Sequence, residues 1–330
     1  LKGDAGDDVL IGGAGADVLQ GGDGFDTVDY SLSSSSVNIY LQTTSAQIGG
    51  DAQGDQLSSV EAVIGSAYND TLRGDYNVSN LLSGGDGDDF LHSAPGDTLD
   101  GGAGSDTAEV GSTQIPLFEV DLRTGASSGG ETLISIENLS AFAYAYSNFV
   151  FLGDNGANIL TGGQGDDTLV GYAGADTIFG SESDDFIRGD GGNDSLSGGV
   201  GNDIIRGGAG NDRLYGDDGA DTLFGHEGND LLEGRNGNDF IKGDAGDDWL
   251  LGGDGNDSLQ GGDDNDILRG ENGNDVLFGD NGADTVEGAA GSDELRGGAG
   301  DDALSGGDNG DLLFGWGEND LLLGDAGNDF

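Results

Sequence analysis

Gly207-Gly208-Ala209-Gly210-Asn211-Asp212-Arg213-Leu214-Tyr215 is one unit of the pattern that decides the fold. Glycine recurs every ninth residue from Gly153 to Gly324 without a slip. This gives nineteen complete nonapeptides over residues 153–323 and a partial one ending at Phe330. Position six is Asp in every complete unit except the first, which has Asn158. Position eight is always aliphatic, from Leu160, Leu169, Ile178 and Ile187 to Leu322. Position four is Gly except at Ser183, Asp264, Asn309 and Glu318.

Working outward, three more units lead the chain at Gly3, Gly12 and Gly21. A looser block covers 65–73, 74–83, 84–92, 93–100 and 101–109. The chain therefore divides into repeats (1–29), a β-rich insert (30–64), irregular repeats (65–109), a second β-rich insert (110–152) and a long regular array (153–330). The inserts are alike: Asp55-Gln56-Leu57-Ser58-Ser59-Val60-Glu61 matches Glu131-Thr132-Leu133-Ile134-Ser135-Ile136-Glu137. Repeats, insert, repeats is thus a larger unit present twice.

Each nonapeptide splits into six turn-forming and three strand-forming residues. Glycines at positions one, two and four permit positive φ and close backbone approach. Period-2 alternation points position eight one way and positions seven and nine the other. One short strand per nine residues turns the chain through half a circuit, so two units make a coil. Coils stack at the strand spacing, roughly 4.8 Å.

The position-six residues then form two columns. One is Asp176, Asp194, Asp212, Asp230, Asp248, Asp266, Asp284, Asp302 and Asp320. The other is Asp167, Asp185, Asp203, Asp221, Asp239, Asp257, Asp275, Asp293, Asp311 and Asp329. Asp8, Asp17, Asp26, Asp70, Asp89 and Asp106 hold the same position in the N-terminal blocks.

Composition alone points to disorder. The chain of 330 residues has 70 glycines, 10 Lys+Arg against 64 Asp+Glu, a formal charge of −54, and only 34% hydrophobic residues. Two prolines exclude a collagen-like repeat. What remains is a repeat whose charge is neutralised by cations. Like charges at the coil spacing repel by about 1 kcal/mol per pair in water and more at low dielectric. Carboxylates and turn carbonyls are hard oxygen ligands, and no His or Cys belongs to the pattern. Calcium, which accepts 6–8 flexible oxygen contacts, fits better than magnesium. With 9 + 9 inter-coil spaces in the long array, up to about 18 ions are expected there, bringing the net charge to about −18.

At these residues the chain resembles the RTX (repeats-in-toxin) nonapeptide G-G-x-G-x-D-x-U-x. The resemblance covers 153–330 and parts of 1–29 and 65–109. Residues 21–109 also resemble the stretches beside such repeats in secreted RTX proteases, lipases and adhesins. It implies an all-β parallel β-roll, a right-handed solenoid with calcium between turns one coil apart, held by position-six Asp and loop carbonyls. On that reading Asp194 and Asp212 share an ion, as do Asp203 and Asp221. Sites beside Ser183 and Glu318 are weakened, and so is the one at Asn158. The resemblance further implies type I secretion and folding on meeting extracellular calcium.

The charge excludes nucleic acid as a partner, and the absence of cysteine excludes disulfides and thiolate metal sites. The longest apolar stretch, 139–152, is too short to cross a membrane as a helix. No signal peptide is expected at Leu1, and the chain reads as a piece of a longer protein. Gly125-Ala126-Ser127-Ser128-Gly129 fits G-x-S-x-G, but only His92 and His226 exist and both lie in repeats. His226-Glu227 stands alone without the second His of a zinc protease. No catalysis is expected within this chain.

Two surfaces invite partners. Ala141-Phe142-Ala143-Tyr144-Ala145-Tyr146 reads as a strand packing an aromatic face on the insert core, or as a glycan platform. Position nine of alternate repeats reads Val170, Arg188, Arg206, Phe224, Lys242, Gln260, Phe278, Arg296 and Phe314. That strip fits an acidic polysaccharide, as in the similar roll modules of alginate-modifying enzymes, or a copy of the same flat sheet. The expected function is a structural or adhesive calcium-binding region of an exported bacterial protein, such as a stalk, surface layer or filament. The alternative is an accessory region of a secreted enzyme or toxin.

Overall fold

The position-eight aliphatics are the core. Leu160, Ile187, Ile205, Leu214, Leu250 and Val286 are among those with no solvent exposure, one apolar side chain per half-coil. A single such residue cannot hold nine ordered residues together, so the backbone must be satisfied by its neighbours along the stack. The computed structural model describes residues 1–42, 45–111, 115–142 and 147–330, and among these it is all-β apart from a 3₁₀ turn at Gly50–Ala52. Among the described residues no helix is long and apolar enough to cross a membrane. The chain forms two compact units, Leu1–Gly153 and Asp154–Phe330.

In the second unit every nonapeptide gives one strand, and each strand pairs in parallel with the strand eighteen residues on. Ile204 lies opposite Thr222, Ile205 opposite Leu223 and Arg206 opposite Phe224. Successive strands alternate between two sheets, so two repeats close one coil and the unit is a parallel β-roll. The strands are longer than the sequence suggests. Ile204–Ala209 and Arg213–Asp218 run six residues, through positions seven to nine and on through one to three. Glycine carries no β-propensity, which hid this extension. Along the ladder position two takes φ between 61° and 130°, as at Gly208 (125°), and Asp190 (74°) and His226 (80°) share that region.

Position four explains the remaining glycines. A methyl group built on Gly210, at φ 131°, would overlap the Gly192 carbonyl oxygen of the preceding coil. Ser183, Asp264 and Asn309 adopt φ of 81°, 79° and 81° at this position at a conformational cost. Glu318 escapes the positive-φ region, and its carboxylate instead accepts from Gly300 N at 3.0 Å.

The first unit is coiled in the same way with longer circuits. The first insert contributes Asn38–Tyr40, Gln56–Ser58 and Ala62–Ile64, which pair in parallel with Thr71–Arg73, Val18–Asp23 and Thr27–Asp29. The second contributes Thr132–Ile134 and Asn138–Ala141, alongside Thr98–Ala103 and Thr107–Val110. It also pairs Leu117–Asp121 with Asn148–Leu152 over a core of Phe118, Val120, Phe149 and Phe151. Of the aromatic run at 141–146, residues 143–146 lie outside the described residues; Phe142 stacks on His92 with centroids 6.3 Å apart.

Candidate metal centres

Asp212 shows how each turn is built. Its Oδ1 accepts a hydrogen bond from the Asp194 amide at 2.8 Å, and its own amide donates to Asp230 Oδ1 at 2.8 Å. The bond repeats down both columns, from Asn158 to Asp320 and from Asp167 to Asp329, at 2.8–3.2 Å. Asp194 and Asp212 are thereby brought together, as are Asp203 and Asp221. From Asp167 to Asp311 these side chains are buried. Asp320 and Asp329 in the final coil are half-exposed.

The second oxygen is the informative one. From Asp176 through Asp311, sixteen buried Oδ2 atoms meet no hydrogen-bond donor. The same holds for Asp8, Asp26, Asp89 and Asp106 in the first unit. What surrounds them is oxygen. A methyl group placed on Gly207 would overlap Asp212 Oδ2 and lie 2.9 Å from the Gly225 carbonyl oxygen. The carbonyls of Gly192 and Gly210 point along the stack, and among the described residues no donor meets them. An orphaned carboxylate oxygen among carbonyl oxygens fits a hard, oxygen-seeking cation. Among the described residues no group of three or more Asp, Glu, His or Cys side chains converges as a metal site. The donor set therefore relies on main-chain carbonyls, as calcium tolerates.

Burial dominates the electrostatics. Loss of solvent, reinforced by neighbouring carboxylates, pushes Asp185 and Asp266 up to about 8. Asp212, Asp221, Asp248 and Asp257 rise to about 7 for the same reasons. Asp176, Asp203, Asp284 and Asp293 rise to about 6. The amide bond to Oδ1 pulls the other way but does not prevail.

Position five was missed by sequence reading. Asn211 N donates to Asn193 Oδ1 at 2.9 Å and Asn229 N to Asn211 Oδ1 at 3.0 Å. This exposed ladder runs opposite to the Asp one: position five secures the following coil, position six the preceding one. The signal was present, because position five is Asn or Asp in most units. A repeat pattern written with x at that place conceals it.

In the first unit, residues from the inserts take over the column. Asp17 N donates to Asp55 Oδ1 at 2.7 Å, Asp26 N to Glu61 Oε2 at 2.9 Å and Asp106 N to Glu137 Oε2 at 2.8 Å. The likeness of 55–61 to 131–137 partly reflects one task, a carboxylate that caps the preceding coil, since Glu61 and Glu137 occupy matching places.

Asp70 departs from its expected role. Its carboxylate already accepts from Val37 N, Ser66 N and Ser66 Oγ. Ser66, at position two, supplies two of those donors. Asp55 Oδ2 is likewise taken by the Tyr30 hydroxyl at 2.9 Å, and Asp97 Oδ2 by Ala94 N at 2.7 Å.

The other candidates dissolve into local pairs. Ser127 Oγ donates to Glu131. His92 is held by Glu109 and Arg73, and His226 by Asp244 at 3.1 Å. The cationic strip is largely neutralised: Arg188 pairs with Asp190 at 2.7 Å, Lys242 with Asp244 at 2.5 Å and Arg296 with Glu294. Arg206 lies between the rings of Phe186 and Phe224. On the opposite sheet Arg235 pairs with Asp217, and Arg269 with Glu287 at 3.3 Å.

A parallel roll of nonapeptide coils, with columns of half-satisfied carboxylates inside its turns, defines a cation-binding repeat protein. Comparison with protein families bears this out. The RTX calcium-binding nonapeptide repeat (4 copies) matches residues 1–28, 79–97 and a run of overlapping segments from 152–187 to 296–330. The chain belongs to this family and is a calcium-binding β-roll region. No curated protein matches it.

Proposed function

We propose that the position-six carboxylates of residues 167–329, with Asp8, Asp17, Asp26, Asp89 and Asp106, are the calcium ligands, each ion bridging two consecutive coils. Asp70 is left out, its carboxylate being occupied by Val37 and Ser66. The observation that carries the reading is the set of buried Oδ2 atoms without a donor. Up to about 18 ions in the long roll would complete the turns and remove most of the charge. Folding is then linked to metal binding, with affinity per site of about 10⁻⁴–10⁻³ M, as in extracellular modules. The region serves a structural or adhesive role in an exported protein that meets calcium outside the cell.

Calcium titration of the chelated chain, followed by far-UV circular dichroism and calorimetry, tests this. A cooperative gain of strand signal with many ions bound per chain is expected. A strand spectrum unchanged by EDTA would overturn it.

A further inference from the structure

Among the described residues, one cation of the roll is unclaimed. Arg213 is exposed, sits at position seven, and has neither carboxylate nor ring partner among them, whereas the roll's other five arginines and its lysine are held as described above. It stands at one end of a shallow groove of about 440 Å³ along the turn edge of its sheet. The strand register places Leu231 beside it and Trp249 one coil further. Trp249 is 56% exposed, so the indole face is open to solvent. The groove wall is the position-five ladder of Asn193, Asn211, Asn229 and Asp247, and Asp212 and Asp230 also line it.

That wall is rich in donors at its Arg213 end and carries a carboxylate, Asp247, at its Trp249 end, where Oδ1 accepts from Asn265. The carbonyl oxygens of the three Asn side chains are consumed by the amides of Asn211, Asn229 and Asp247. Their N–H₂ groups remain as donors, next to the five N–H donors of Arg213, while Asp247 supplies an acceptor for a hydroxyl beside Trp249. A ligand must therefore be rich in acceptor oxygens and carry a flat face for the indole. It must also present an anion, since a planar guanidinium binds carboxylate by two parallel hydrogen bonds. Arg213 and Trp249 lie two coils apart, roughly 9.6 Å at the strand spacing.

We propose that this groove binds an acidic oligosaccharide: a uronate carboxylate on Arg213, a sugar ring on Trp249, and intervening hydroxyls on the Asn N–H₂ groups. The site lies on the sheet opposite the Arg188–Arg296 strip, whose charges are spent internally.

The experiment is calorimetric titration of the calcium-loaded chain with tetragalacturonate and with its methyl ester. Binding that falls at least tenfold for the ester, for Arg213→Ser and for Trp249→Thr is expected, with Arg296→Ser unchanged. Ser195 and Thr177 occupy the equivalent position in neighbouring repeats of the same column, so the substitutions suit the fold. An unaltered circular dichroism spectrum with calcium confirms that the roll is intact, separating failure of the groove from failure of metal-driven folding. No binding by the intact roll overturns the proposal. So does equal binding of acid and ester, or an equal loss in Arg296→Ser. Sedimentation showing self-association abolished by Trp249→Thr overturns it too, because the occupant is then a second copy.

Discussion

Asp212 gives one oxygen to the Asp194 amide and keeps the other among carbonyls, so replacing it with Asn separates two effects. The Asn carbonyl can still accept the amide, while the charge is lost. Asp212→Asn should bind at least one calcium ion fewer and weaken the loaded roll by about 1–3 kcal/mol. It should leave the metal-free chain no less stable, because a desolvated charge has gone. Calorimetry with and without EDTA checks both signs. Asn158 is the natural precedent: its side-chain carbonyl accepts from Asp154 N at 2.8 Å, and its amide nitrogen bonds Asp154 Oδ1. Gly210→Ala tests the packing instead. Positive φ alone costs about 1–3 kcal/mol, and the overlap with the Gly192 carbonyl adds to it. Its melting temperature in calcium should fall well below that of Asn211→Ala, which loses one exposed hydrogen bond worth about 1 kcal/mol.

At the scale of turns and columns, acidity and calcium act in opposite directions. The carboxyl groups of Asp185, Asp212, Asp248 and Asp266 are raised in the folded, metal-free roll to between about 7 and about 8. In an unfolded chain they titrate near 4. The folded form therefore holds more protons. The stability they contribute is complete below about pH 4 and is lost progressively as pH rises from there to the folded values of about 7 to about 8. In EDTA, strand signal should be greater at pH 4 than at pH 8. In calcium the order reverses, because protons compete for the same oxygens, and the midpoint calcium concentration should fall between pH 5 and pH 8.

The irregular coils should depend less on the metal. Val37 and Asn80 amides are held by Asp70 and Asp97, whose remaining oxygens are bonded within the protein. Hydrogen exchange in EDTA should leave segments 37–41 and 79–82 more protected than 194–214. Uniform loss of protection would contradict this.

What could be read from the sequence follows the same division. Position eight as core and position six as two columns were legible because both recur every ninth residue without a slip over residues 153–330. The six-residue strands were not, since Gly207, Gly208 and Ala209 carry no strand preference and pair only because a coil lies on each side. Asp55, Glu61 and Glu137 were missed as column members because they lie 38, 35 and 31 residues from their partners instead of 18. The spent charge of Arg188 and Lys242 was hidden for a different reason. Asp190 and Asp244 at position two reach position nine of their own coils only once positive φ has turned them there.

For the molecule as a whole, the opposed polarity of the two ladders sets the step by which such a chain changes length. An Asn or Asp at position five grips the coil after it and an Asp at position six the coil before it, so most joints are closed from both sides. Removing eighteen residues rejoins equivalent repeat positions and leaves each downstream side chain on its own sheet. Removing nine also restores the joints, yet it sends every downstream residue to the other face. Arg213 and Trp249 stay together only while an odd number of repeats, now three, lies between them. Growth or loss by whole coils would therefore conserve surface features, whereas a half-coil event would exchange the two faces without disturbing the core.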